Sequence, residues 1–147
     1  MGEERPEPAR ARLFVLLASN RRPALHLALA VEALERWAPV ERELGRHRGP
    51  ALGGRGFYEN RLVSCRCRFD DPARIDRVLK RIERDLAPRL DPDDCPLDLD
   101  PFLLVHGGCA STFARTAKVL ALLARLDPLA RLGFDRALDG EAVLEWR

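Results

Sequence analysis

Pro96-Leu97-Asp98-Leu99-Asp100-Pro101-Phe102-Leu103-Leu104-Val105 is the stretch from which the fold of this chain is read. In a strand, side chains alternate, so Leu97 and Leu99 enter the core while Asp98 and Asp100 stand side by side on the opposite face. Adjacent carboxylates repel one another unless protons, arginines or cations relieve them. Hard oxygen ligands of this kind suit Mg²⁺, with phosphate oxygens completing its shell. The same short spacing also occurs on solvated strand faces, and alone it leaves both readings open. Pro101 cannot donate to a strand ladder, which predicts a bulge or an edge beside the acids.

Upstream of the acids, Asp70-Asp71-Pro72 starts a helix, with a carboxylate cap and a proline in the first turn. Ile75, Val78, Leu79, Ile82 and Leu86 form its buried stripe, and Arg74, Arg77, Lys80, Arg81 and Arg84 are expected on a basic, solvated face. Residues 57–69 read as a long strand with Val63, Cys65, Cys67 and Phe69 on one face and Ser64, Arg66 and Arg68 on the other. Both thiols are therefore expected as small core residues. A zinc site is a poor fit, because Cys65, Cys67, Cys95 and Cys109 lack the usual C-x₂₋₄-C pairing. Tyr58 and Asn60 share a face where this strand opens. A ring and an amide pointing the same way suit stacking on a flat heterocycle and reading its hydrogen-bonding edge, although an ordinary strand start has the same pattern.

Further upstream, Gly49-Pro50-Ala51-Leu52-Gly53-Gly54-Arg55-Gly56 is too rich in glycine for a regular element and is expected to be a mobile loop, for which composition leaves a functional lid and plain disorder equally open. The charged residues 39–48 before it suit an edge strand. Leu27, Ala30, Val31, Leu34 and Trp37 form the apolar stripe of a first helix, with Pro23 in its first turn and Asn20 or a nearby backbone group as cap. The apolar run over residues 12–18 reads as a central strand covered on both faces. Downstream of Val105, His106-Gly107-Gly108 predicts a turn. A third helix is expected from Ser111 or Thr112, with Val119, Leu122, Leu123 and Leu126 inward and Asp127-Pro128 as its stop. Residues 132–146 suit a short hairpin or a docked tail.

The element order predicts an α+β fold: a ferredoxin-like β-α-β-β-α-β antiparallel sheet with helices on one face and an additional C-terminal helix. The 147 residues suit one domain over residues 11–147, preceded by a flexible tail over residues 1–10. Lys and Arg total 25 against 23 Asp and Glu, a net charge of +2 that argues against a nucleic-acid partner. No apolar run approaches the roughly 18 residues of a membrane span, and no signal-peptide pattern is present, so a cytoplasmic protein without a membrane partner is expected.

Several of these pieces, in this order, resemble one family, the hydroxymethyldihydropterin pyrophosphokinases of folate biosynthesis. Ala18-Ser19-Asn20 looks like the family's G-S-N after its first strand, with alanine in the glycine's place. Gly49-Pro50 resembles the start of the pterin-side loop, and Phe57-Tyr58-Glu59-Asn60 resembles an aromatic-x-Asn strand opening. Asp71-Pro72 followed by Arg81-Ile82-Glu83 looks like the second helix, and Leu97-Asp98-Leu99-Asp100 matches the family's L-D-L-D. The resemblance spans residues 12–105.

It implies transfer of a pyrophosphoryl group from ATP to the hydroxymethyl oxygen of a reduced pterin, with Asp98 and Asp100 holding two Mg²⁺ ions. Tyr58, Asn60 and Pro50 would face the pterin. The connector over residues 84–96 departs from the family: it is shorter, retains only Arg84 and Arg89 of the expected cations, and carries Asp91, Asp93 and Asp94 instead. Arg115 stands near the place of a later family arginine and is assigned with the catalytic residues. The departure leaves a second reading, a non-catalytic ferredoxin-like module that binds a ligand or a partner, and a third, a small regulatory domain unrelated to pterins.

Overall fold

The computed structural model describes residues 11–50, 57–68, 71–88, 96–106 and 109–125. Along the chain run β1 (Ala11–Ser19), α1 (Pro23–Trp37), β2 (Val40–Pro50), β3 (Phe57–Cys67), α2 (Pro72–Leu86), β4 (Asp98–His106), β5 (Cys109–Thr112) and α3 (Thr116–Leu123). The protein is α+β, with one antiparallel five-stranded sheet in the order β2-β3-β1-β4-β5.

β1 is buried along almost its whole length because helices lie on both faces of the sheet. Leu13, Val15 and Leu17 pack with Leu27, Ala30 and Leu34 of α1, Ile75 and Leu79 of α2, and the two β3 thiols. Phe14 and Leu16 turn the other way, into a second cluster with Leu62, Phe102, Leu103 and the α3 residues Val119, Leu122 and Leu123. Thus α1 and α2 share one face, whereas α3 covers part of the other. Cys65 and Cys67 are fully buried, as their alternation predicted.

Helix α2 begins as expected, with the Asp71 carboxylate accepting the Ala73 N–H at 3.0 Å. The start of α1 is different. Its cap is Arg22, in the left-handed region at φ 45°, with no capping side chain. Asn20 is not the cap, and the Ser19 hydroxyl orders the turn instead, donating to the Arg21 carbonyl and accepting its N–H.

Residues 109–112, where the third helix was expected to begin, form β5 and return along β4 from Leu103 to His106. The helix begins only at Thr116. Strand pairing decides here, since a short polar segment carries no strong periodicity of its own. Beside Pro101 the predicted bulge is present. Val15 faces Pro101 and Phe14 faces Leu103, leaving Phe102 as the extra residue. The Thr116 hydroxyl donates to the Phe102 carbonyl at 2.7 Å and accepts the Phe113 N–H at 2.7 Å, which ties the start of α3 to the bulge.

The expectations for residues 1–10, 51–56, 69–70, 89–95, 107–108 and 126–147, including Cys95, Leu126 and the C-terminal hairpin or tail, lie outside the described residues. Among the described residues no helix is long and apolar enough to cross a membrane.

Candidate functional site

Register sets the site. One row across the sheet joins His47, Asn60, Ala18 and Asp98, and the next joins Gly45, Leu62, Leu16 and Asp100. Residues paired across strands share a face, so both acids lie on the α3 side with Asn60. Leu16 and Leu62 belong to the apolar cluster under α3, whereas the row of Asn60, Ala18 and Asp98 lies just beyond it. The alternation read in the sequence therefore holds: Leu97 and Leu99 enter the core, and Asp98 and Asp100 stand together on the other side.

Between Asp98 and Phe102 no described strand pairs with the outer edge of β4, because β5 begins its pairing at Leu103. Side chains of α2 occupy that edge. The Glu83 carboxylate accepts the Leu99 N–H, and the Lys80 ammonium donates to the Leu99 carbonyl at 3.2 Å. The same ammonium lies 2.9 Å from Glu83 Oε1 and 3.5 Å from Oδ1 of both Asp98 and Asp100. Lys80 is thus partly buried and ion-paired, not part of a freely solvated face; four oxygens from two elements converge on it. Arg115, the cap residue of α3, brings its guanidinium to 3.6 Å from Asp100 and 3.8 Å from Asp98.

The two acids differ in environment. Asp100 is 1 % exposed, and its Oδ2 has no hydrogen-bond partner among the described residues. Burial, followed by the Asp98 charge, pushes its carboxyl up to about 7. Burial acts in the same sense on Asp98, but the hydrogen bond with Asp100 and the Lys80 charge outweigh it, holding Asp98 below its ordinary value. Glu83 is pushed up to about 7 by burial, against the lowering effect of the Leu99 N–H and Lys80. Burial opposes the charge on Lys80, yet Asp98, Glu83 and Asp100 together raise its pKa. The pair therefore behaves as one ionised carboxylate beside a second that retains a proton to near neutrality.

Across the row, Asn60 is buried, and its amide donates to the His47 carbonyl at 3.4 Å. The His47 ring lies against the Cα of Gly49 and leaves no room for a Cβ there, and the buried His47 Nδ1 has no partner among the described residues. Tyr58 is on the same strand face as Asn60, one pair further out, and is half-buried. It borders a cleft of about 480 Å³ together with Ser19, Asn20, Pro23, Arg48 and Glu59. A larger groove of about 920 Å³ follows α2 past Arg74, Arg77, Lys80 and Arg84. Lys80 and Glu83 line this groove, whereas the acid pair does not.

Of the residues singled out in the sequence, Asp98, Asp100 and Arg115 come together, and Asn60 shares their sheet face. Tyr58 lies at the same sheet end. Pro50 pairs with Phe57 at that end, and its side chain is outside the described atoms, as is most of the expected lid. The sequence reading missed Lys80, Glu83 and His47 as site residues. A signal for Lys80 was present: only two of the 25 basic residues are lysines, Lys80 and Lys118.

No protein-family profile and no curated protein matches this chain. Fold and site define an α+β protein with a counter-charged acid pair at one end of its sheet.

Proposed function

We propose that the protein is a Mg²⁺-dependent pyrophosphokinase that transfers pyrophosphate from ATP to 6-hydroxymethyl-7,8-dihydropterin and releases AMP. The observation that carries this reading is the pairing of Asp98 and Asp100 with an unpartnered, buried Asp100 Oδ2. A carboxylate oxygen kept from water and from hydrogen-bond donors is a fitting ligand for a hard cation. The strand order β2-β3-β1-β4, with α1 and α2 on one face, supports a ferredoxin-like core to which β5 and α3 are additions.

In this reading Asp98 and Asp100 hold Mg²⁺, which supplies charge neutralisation for the triphosphate and the departing AMP. Tyr58 and Asn60 bind and orient the pterin. Pro50 lies beside it on the adjoining strand. Arg115 sits next to the acid pair, where a guanidinium donates to phosphate oxygens in a fixed fork. ATP and the pterin are the small-molecule partners, in the cytoplasm. Incubation with Mg²⁺, ATP and 6-hydroxymethyl-7,8-dihydropterin tests the reaction: AMP formation is expected, and AMP at background level removes it.

One observation favours a second reading, a non-catalytic binding module. Lys80 and Arg115 already offset the charge of both acids. That module turns over no ATP, and Asp98→Asn leaves its ligand affinity unchanged.

A further inference from the structure

The ammonium of Lys80 is held as a cation would be. Three carboxylate oxygens and one carbonyl lie within 3.5 Å of it: Glu83 Oε1, Asp98 Oδ1, Asp100 Oδ1 and the Leu99 carbonyl. Its position is fixed from both sides, because Glu83 is itself anchored by the Leu99 N–H. A flexible surface lysine makes none of these backbone-locked contacts.

Residue choice points the same way. The chain carries 23 arginines and two lysines, yet a lysine stands here. A compact ammonium with tetrahedral donors fits among oxygens arriving from several directions, whereas a planar guanidinium presents its donors in one plane. Of the two remaining oxygens of the acid pair, Asp98 Oδ2 lies 3.8 Å from the Arg115 guanidinium, and Asp100 Oδ2 is buried and without a partner among the described residues.

We propose that Lys80 is a built-in cation on the Oδ1 side of Asp98 and Asp100, so that the centre takes a single divalent ion. The inference rests on the metal-dependent reading of the acid pair above. A second divalent ion on the Oδ1 side would face the fixed ammonium at close range and meet like-charge repulsion in a partly buried site. The single-ion centre follows from a side chain that reaches the acids from α2.

The test counts ions. The full chain is equilibrated with Mn²⁺ and α,β-methylene-ATP, and the ions retained by the wild type but lost in Asp100→Asn are counted by native mass spectrometry. One ion per chain is expected for the wild type and for Lys80→Arg, and two for Lys80→Met. Lys80→Gln, which can still donate to the Leu99 carbonyl, replaces Lys80→Met if circular dichroism shows that variant unfolded, and two ions are again expected. Two ions in the wild type overturn the proposal while leaving the metal site intact, as does a count that stays at one without the lysine charge. No acid-dependent ion in any form overturns the proposal together with the metal reading.

Discussion

Asn60 and Asp98 lie in one row of the sheet with only Ala18 between them. Two strand spacings separate their backbones by about 10 Å, a span in which a small heterocycle and the first phosphate of a neighbouring nucleotide can sit side by side. Ala18 forms the floor of that span. Under the function proposed above, Ala18→Leu is expected to raise the KM for the pterin at least tenfold while the Mn²⁺ count stays unchanged, a split that steady-state kinetics and metal titration resolve.

Asp100 is in tension with its surroundings: burial and the Asp98 charge both oppose its ionisation. Asp100→Asn removes that tension. At pH 8 and without metal the variant is expected to be about 1–2 kcal/mol more stable than the wild type, by denaturant unfolding, while losing acid-dependent Mn²⁺ binding. A loss of stability would show the charged carboxylate to be a structural requirement of the fold.

The same group predicts a pH dependence. Asp100 and Glu83 are both pushed up to about 7, so the folded protein holds protons that the unfolded chain has released. The stability they carry is complete below roughly pH 4 and is lost as the pH rises through 7. Asp98, held low, acts in the opposite sense but only below the ordinary carboxylate range. The melting temperature of the metal-free protein is expected to fall by about 5 °C between pH 5 and 8, a change on the order of 2 kcal/mol. Under the metal-dependent function proposed above, Mg²⁺ affinity is expected to rise over the same interval, because binding at Asp100 would displace a proton. A flat melting profile would contradict the raised Asp100 value.

Thr116 joins two otherwise separate features, the Phe102 bulge and the start of α3. Thr116→Val keeps the shape and removes the hydroxyl, leaving the Phe102 carbonyl and the Phe113 N–H without this partner. A loss of about 1–3 kcal/mol is expected in urea unfolding, and Thr116→Ser is expected to recover most of it.

The strands and the first two helices were legible because their signals are local. The β1 run, the α2 cap and stripe, and the alternation of Leu97 to Asp100 depend on neighbours in sequence, and the structure agrees with each. The third helix was misplaced because Cys109 to Thr112 become a strand only through pairing with β4. Lys80 was assigned to a solvated face for a related reason. Helical periodicity places it beside the buried stripe, but its counter-charges Asp98 and Asp100 arrive from a strand after a connector. Arg115 reaches the acids only because β5 turns the chain back before α3 begins.

Glu83 offers a test of the edge that is independent of ligands. Glu83→Ala leaves the Leu99 N–H without its acceptor and Lys80 without its 2.9 Å contact, at an expected cost of about 1–3 kcal/mol. Glu83→Gln retains an acceptor and is expected to lose less than half as much, as read by thermal unfolding.

The α2 side chains over Leu99 also bear on how copies of this protein meet one another. An uncovered strand edge is a template onto which a strand of another molecule can add. At Leu99 both hydrogen-bonding groups are taken by Glu83 and Lys80. The residues that set the charge of the acid pair therefore also deny β4 to an incoming strand. Substitutions chosen to retune the chemistry of this site carry a colloidal consequence, because loosening Lys80 or Glu83 opens a sticky edge in the same place.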